Sequence, residues 1–239
     1  MKGVASVAED RGLAADIGSN VVSRIVDAVE QRRDSLIESM RALVQVPSQT
    51  GEEAAVQSVV AAKMRELGLE TDFWEPDAAE LAPYALHVGE FASFAGRPNV
   101  VGTLRGTGGG RSLILNAHID TVETGDPTRW SHPPFAAEIV DGRLYGRGAC
   151  DMKAGLACQL MAVDALRRSG IRLSGRVQLQ SVVGEEDGGL GTFATLRRGH
   201  TGDLAVVCEP TSGQLVTASA GALTFRLTVP GSSAHASMR

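Results

Sequence analysis

Leu113-Ile114-Leu115-Asn116-Ala117-His118-Ile119-Asp120 is a short apolar run that ends in an imidazole and a carboxylate. Apolar runs of this length, separated by helical stretches, are what a strand covered on both faces requires. Leu204-Ala205-Val206-Val207 has the same character. Working outward, the pattern predicts strands over 70–74, 99–104, 112–116, 176–183, 204–208 and 214–219. It also predicts a helix over 151–169, with Leu156, Leu160 and Val163 on one stripe and Gly170 as its stop, and a short helix over 191–198. Upstream, apolar positions from Val22 to Val44 recur at helical spacing, as one long helix or two short ones. A further helix over 52–67 is closed by Gly68. Such alternation specifies an α/β fold, a doubly wound mixed sheet with helices on both faces.

In an open α/β sheet, ligands bind beyond the carboxyl ends of the strands. Four polar segments stand at such ends: His118-Ile119-Asp120, Gly184-Glu185-Glu186-Asp187, Glu209-Pro210-Thr211, and Asp151 after the turn Tyr145-Gly146-Arg147-Gly148. A lone histidine after a strand is ordinarily a structural residue. Carboxylates gathered beside it would repel one another, so the cluster needs a cation to persist. Imidazole plus carboxylates suits zinc, with cobalt and manganese as alternatives. Asp120 lies on the His118 side of the strand and is placed to accept the ring's other N–H. Glu185 and Glu186 could form a solvated acidic turn. Adjacent side chains point apart in extended backbone, however, so one can bind metal while the other faces substrate.

These segments resemble, in order, the motifs of the M20 metallopeptidases, and nearest among them the acetylornithine deacetylase and succinyl-diaminopimelate desuccinylase group. The stretches are Asn116 to Val122, Tyr145 to Gly155, Gly184 to Thr192, Cys208 to Thr211 and Gly231 to His235, and the likeness runs from about residue 20 to the end. The resemblance implies a zinc-exopeptidase-like fold and two divalent metal ions. It implies that His118, Asp151, Glu186 and Glu209 are the metal ligands, that Asp120 is the orienter and that Glu185 is the general base. It implies that His235, from a small lid domain, helps stabilise the oxyanion in the partner subunit of a homodimer. The chain differs from many relatives in carrying Gly184 before the glutamate pair and Ala154 after Asp151-Met152-Lys153.

Leu223, Phe225, Leu227 and Val229 alternate with Thr224, Arg226 and Thr228, the period of a strand with one wet face. The expected organisation is a mobile tail over 1–19, a catalytic metal-binding domain over 20–215 and the beginning of an α+β lid and dimerisation domain over 216–239. The resemblance further implies a later metal-binding histidine that none of His87, His132 or His200 matches, so the chain reads as C-terminally truncated.

The 239 residues are 43% hydrophobic with a formal net charge of -5, which argues against nucleic acid or an anionic membrane as partner. No apolar run approaches a spanning helix and no secretory leader is evident, so a cytoplasmic protein is expected. Cys150, Cys158 and Cys208 form no CxxC pair, which disfavours a disulfide framework or a cysteine zinc cluster. Gly106 to Gly110 lies between two strands rather than before a helix, unlike a dinucleotide loop. No Gly-x-Ser-x-Gly elbow is present, and no histidine is tied by sequence to Cys150. Trp130 to Phe135 could line a substrate channel, but its prolines and aromatics fit a stiffened loop better.

The expected activity is hydrolysis of a linear amide, removing an acyl group from an N-acyl amino acid. A dipeptidase or carboxypeptidase acting on a short peptide is the alternative within the enzymes. A non-catalytic fragment is the alternative outside them.

Overall fold

The computed structural model describes residues 18–87, 93–218, 221, 227–228 and 230. The upstream apolar pattern resolves into two helices, α1 (Ser19–Glu30) and α2 (Arg33–Gln45). They are followed by α3 (Ala54–Glu66), β1 (Glu70–Trp74), the single turn α4 (Ala78–Leu81), β2 (Asn99–Leu104) and β3 (Leu113–His118). A hairpin of β4 (Glu138–Val140) and β5 (Arg143–Tyr145) precedes α5 (Ala154–Arg168), β6 (Val177–Val182), α6 (Leu190–Arg197) and β7 (Leu204–Val207).

Five strands form one mixed sheet in the order β1-β2-β6-β3-β7. β1, β2 and β6 pair antiparallel, whereas β3 is parallel to both β6 and β7. The carboxyl ends of β6, β3 and β7 therefore share one edge, and β2 begins there.

Side-chain parity separates the two faces. A Cβ on Gly102 would meet Met64 and Leu69, so the even positions of β2 face α3. The odd position Asn99 instead donates from Nδ2 to the Gly191 carbonyl of α6 at 2.8 Å. Helices thus cover both faces, and β6 is buried at every residue. The main core lies between the sheet and α3 with α5, where Val56, Val60, Met64, Leu156, Leu160, Val163, Val100 and Leu179 are all buried. Truncating Met64, Leu156, Leu160 or Leu179 to Ala would cost about 2–5 kcal/mol, from lost transfer energy and a residual cavity.

Several sequence expectations need correction. Residues 214–218 form no strand; Leu215 is 91% exposed, and no neighbouring strand pairs with this segment among the described residues. β7 is apolar but not covered, because it is the sheet edge and Leu204, Val206 and Val207 all face solvent. The helix expected from residue 151 starts at Ala154, since Asp151 and Met152 hold non-helical backbone. The β4–β5 hairpin is absent from the sequence expectations; it turns on Asp141-Gly142, whose φ values of 50° and 75° are the two positive angles of a type I′ turn. Residues 1–17, most of the expected lid strand and His235 lie outside the described residues. None of the described helices is long and apolar enough to cross a membrane.

Candidate metal centre

β3 delivers His118 to the sheet edge with the residue 2% exposed. Its Nε2 lies 3.0 Å from Asp151 Oδ1 and 3.9 Å from Glu209 Oε2. One ligand atom from each of His118, Asp151 and Glu209 lies within 4.8 Å of the others. Among the described residues, no Lys or Arg forms an ion pair with this group or with Glu185 and Glu186. The donor set, one imidazole and oxygen ligands without a compensating protein cation, fits a divalent metal.

The imidazole is oriented differently from the sequence expectation. Its Nδ1 stands 2.9 Å from the backbone carbonyl of Asp120, whereas the Asp120 carboxylate is 3.6 Å away. An Nδ1–H donating to that carbonyl leaves the Nε2 lone pair facing Asp151 and Glu209, the tautomer a metal ligand needs. The carboxylate of Asp120, fully buried, accepts the backbone N–H of Glu185 at 3.2 Å and of Glu186 at 3.0 Å. Asp120 therefore fixes the glutamate turn with its side chain and the histidine ring with its main chain. The reason lies in topology: the end of β3 runs beside the end of β6, so Ile119 N bonds to Val182 O and the next carboxylate reaches the following amides.

Asp151 is brought in by a turn rather than a helix. Gly148 has φ +76°, and a Cβ there would stand 2.6 Å from Thr121 Cγ2, so only glycine lets this turn close on the end of β3. The Asp151–Met152 peptide is cis. Met152 is buried, and its sulfur accepts the His118 N–H at 3.3 Å. Lys153, also fully buried, donates from Nζ to the carbonyls of Leu43 and Val46, both at 2.9 Å, and so satisfies the end of α2. Burial lowers its pKa to about 8.

Glu185 is exposed, and Glu186 is half-buried in a cleft of about 130 Å³ shared with Asp151, Thr121, Arg147 and Cys150. Burial raises the pKa of Glu186 and that of Glu209; His118 opposes this, while Asp151 and Glu185 add to it. Burial acts against a charge on His118, yet Asp120, Asp151 and Glu209 outweigh it and raise the imidazole to about 10. Burial likewise opposes ionisation of Asp120, but His118 and the two turn amides hold it below the usual carboxylate range. In the metal-free state a proton thus stands where a cation would bind.

The structure brings His118, Asp120, Asp151, Glu185, Glu186 and Glu209 to one edge, while His235 lies outside the described residues. His132 pairs with Glu138 at 2.6 Å and stacks on Tyr145, and Trp130 Nε1 donates to Thr124 O, as a stiffened loop should. Sequence reasoning missed the residues that hold the glutamate turn from behind. Arg97 bonds Asp187, and Asn99 accepts the Val183 N–H. Arg97 lies just before β2 and Asn99 is its first residue, and only isolated polar residues at the start of a buried strand could have hinted at them.

The model of peptidase family M20/M25/M40 matches residues 114–233, half of the chain. The chain belongs to this family. Among similar proteins, the N-formyl-4-amino-5-aminomethyl-2-methylpyrimidine deformylase of Bacillus subtilis is 36% identical over 82% of this M20 chain and 43% of its own length. The succinyl-diaminopimelate desuccinylase of Methylorubrum populi is 34% identical over 81% of the chain and 49% of its own. The crystal structure of human carnosine dipeptidase 1 superposes with a TM-score of 0.64 at 17% identity, covering 78% of this chain and 40% of that one, which shows the shared fold. The M20 chain spans less than half the length of these curated relatives.

Proposed function

We propose that this chain carries the metal-binding half of a metal-dependent amide hydrolase that removes a small acyl group from an amine. The carrying observation is the convergence of His118 Nε2, Asp151 and Glu209 at the carboxyl edge of the sheet, beside a glutamate pair whose two amides are held by Asp120. His118, Asp151, Glu186 and Glu209 would hold two divalent ions, zinc in the first instance and cobalt or manganese otherwise. Such ions supply Lewis acidity toward a water and an amide carbonyl.

Glu185, exposed and held at its backbone N–H, has the freedom and the location of a general base. Its carboxylate takes a proton from the attacking water and returns it to the departing amine nitrogen. Asp120 holds the turn so that Glu186 stays toward Asp151 while Glu185 faces substrate. The substrate class is proposed from the relatives, of which one removes a formyl and another a succinyl group by name. An N-acyl amino acid is the first candidate. We place the catalytic unit over 20–215 and the start of a lid over 216–239, with His235 and homodimer formation belonging to the lid.

The test is a native mass spectrum of the chain titrated with Zn²⁺, followed by assay of the natural polypeptide that carries it against N-formyl, N-acetyl and N-succinyl amino acids and dipeptides. Two ions per chain are expected. Glu185→Gln should keep the ions and lower turnover by about 10²–10⁴-fold. A chain that takes up no divalent ion, or a Glu185→Gln variant with unchanged turnover, overturns the proposal.

A further inference from the structure

Behind the glutamate turn lies an ionic link, buried at Arg97 and Glu53 and partly exposed at Asp187, that the chemistry above does not use. Arg97, 4% exposed, places Nε and Nη2 on the fully buried Glu53, the latter at 2.7 Å from Oε1. Its Nη1 donates to the Ser93 carbonyl at 3.0 Å and to Asp187 Oδ2 at 3.1 Å. Burial works against the guanidinium charge, but Glu53 and then Asp187 more than offset it.

Each end of this link is tied to the metal-site backbone. Glu53 accepts the Gly51 N–H, and the segment before it is bonded to the end of β3: Thr121 N donates to Ser48 O and Thr50 N to Thr121 O. At the other end, Asp187 follows Glu185 and Glu186 in the turn closed by the bond from Gly189 N to Gly184 O at 2.7 Å. Two residues after Arg97, the fully buried Asn99 holds the base of this turn, accepting from Val183 N and donating to Gly191 O. A Cβ on Gly184 would stand 2.7 Å from Asp187 Oδ1 and 3.3 Å from Arg97 Nη2. The Asp187 carboxylate thus occupies the space that any side chain at 184 would claim.

A buried ion pair adds little stability over an apolar pair of the same shape, and its best-attested use is to fix one geometry among several. We propose that Arg97, acting through Asp187, is a positioning residue that sets the Glu185–Glu186 turn over the metal centre. Asp120 holds the turn's amides from the metal side and Arg97 holds its carboxyl-terminal shoulder from behind. This rests on the assignment of Glu186 as a ligand and Glu185 as the base.

The test is amide hydrogen exchange on the chain, read at Glu185, Glu186, Gly188 and Gly189 in Asp187→Asn, Asp187→Ala and Arg97→Lys, together with calorimetric Zn²⁺ titration. Asp187→Ala should speed exchange at the turn by about tenfold while amides of β3 and β6 stay protected. Its Zn²⁺ affinity should fall by about 10–100-fold, the usual effect of losing a partner behind the ligands. Asp187→Asn keeps an acceptor for Nη1 and should show a smaller effect, and Arg97→Lys, which replaces the forked guanidinium spanning Glu53 and Asp187 by a single ammonium, should resemble Asp187→Ala. Parent-like exchange at the turn in all three variants overturns the proposal, as does acceleration spread equally over β3 and β6. If the parent takes up no Zn²⁺, the metal assignment fails, whereas the exchange contrast still decides whether Arg97 positions the turn.

Discussion

Two histidines in this chain each stand about one hydrogen bond from an aspartate, and their surroundings give them opposite roles. His118 Nε2 lies 3.0 Å from Asp151, and His200 Nε2 lies 2.9 Å from Asp72. At the second site Arg198 donates to both Asp72 oxygens, at 2.7 and 3.0 Å, and stacks on Trp74, against which His200 also rests. That carboxylate is already compensated. At the first site the neighbours are more carboxylates, and Lys153, two residues after Asp151, turns its ammonium to the carbonyls of Leu43 and Val46. A histidine–aspartate contact is therefore not itself a metal signal; a local deficit of positive charge is.

Replacing each imidazole separates the two sites most directly. His118→Asn should weaken Zn²⁺ binding by more than about 100-fold, beyond what loss of an outer partner causes, whereas His200→Asn should leave the titration unchanged. Equal losses in the two variants would show that the contrast in charge does not locate the metal.

Next in size is Lys153→Met. It leaves the buried Leu43 carbonyl and the half-buried Val46 carbonyl without this donor and should lower unfolding free energy by about 2–4 kcal/mol in a denaturant titration. Because burial lowers the lysine from 10.5 to about 8, the unfolded chain binds more protons in that window. The parent's stability from this group should accordingly rise with pH from about 8 to 10.5, and the variant should lack that rise.

His118 behaves in the opposite sense. Its folded pKa is raised from 6.5 to about 10, so in the metal-free chain its contribution is complete below 6.5 and lost as pH climbs through 10. Zn²⁺ uptake near neutral pH should then release about one proton from this ring, seen as a dependence of the titration enthalpy on buffer ionisation heat. A heat independent of buffer would contradict a protonated ring in the metal-free site.

The smallest effect belongs to the compensated site. Asp72→Asn, at a half-exposed pair, should change stability by no more than about 1 kcal/mol, and less in high salt.

Much of this was legible before folding. β1 and β2 begin and end where the apolar alternation places them, because strand period and turn residues are local properties. His118, Asp151, Glu185, Glu186 and Glu209 were legible as a set because each ends a strand or stands in a polar segment between one element and the next, although the turn that presents Asp151 reads in the sequence as the start of a helix. The segment 214–218 was not, since an apolar pair such as Leu215-Val216 makes a strand only where another strand accepts it. Nor was the Asp120 carboxylate, whose partners at Glu185 and Glu186 lie 65 and 66 residues away.

Chain order alone determined which polar residues would arrive at the carboxyl edge of the sheet, because a strand's direction and the residue that follows it are covalent facts. Tertiary structure decided which of them would meet. Asp120 turns to two amides rather than to its histidine, Lys153 to the end of α2 rather than to the acidic cluster, and Arg97 to Asp187, because hydrogen-bond partners are chosen by distance in space once β3, β6 and the start of β2 lie side by side.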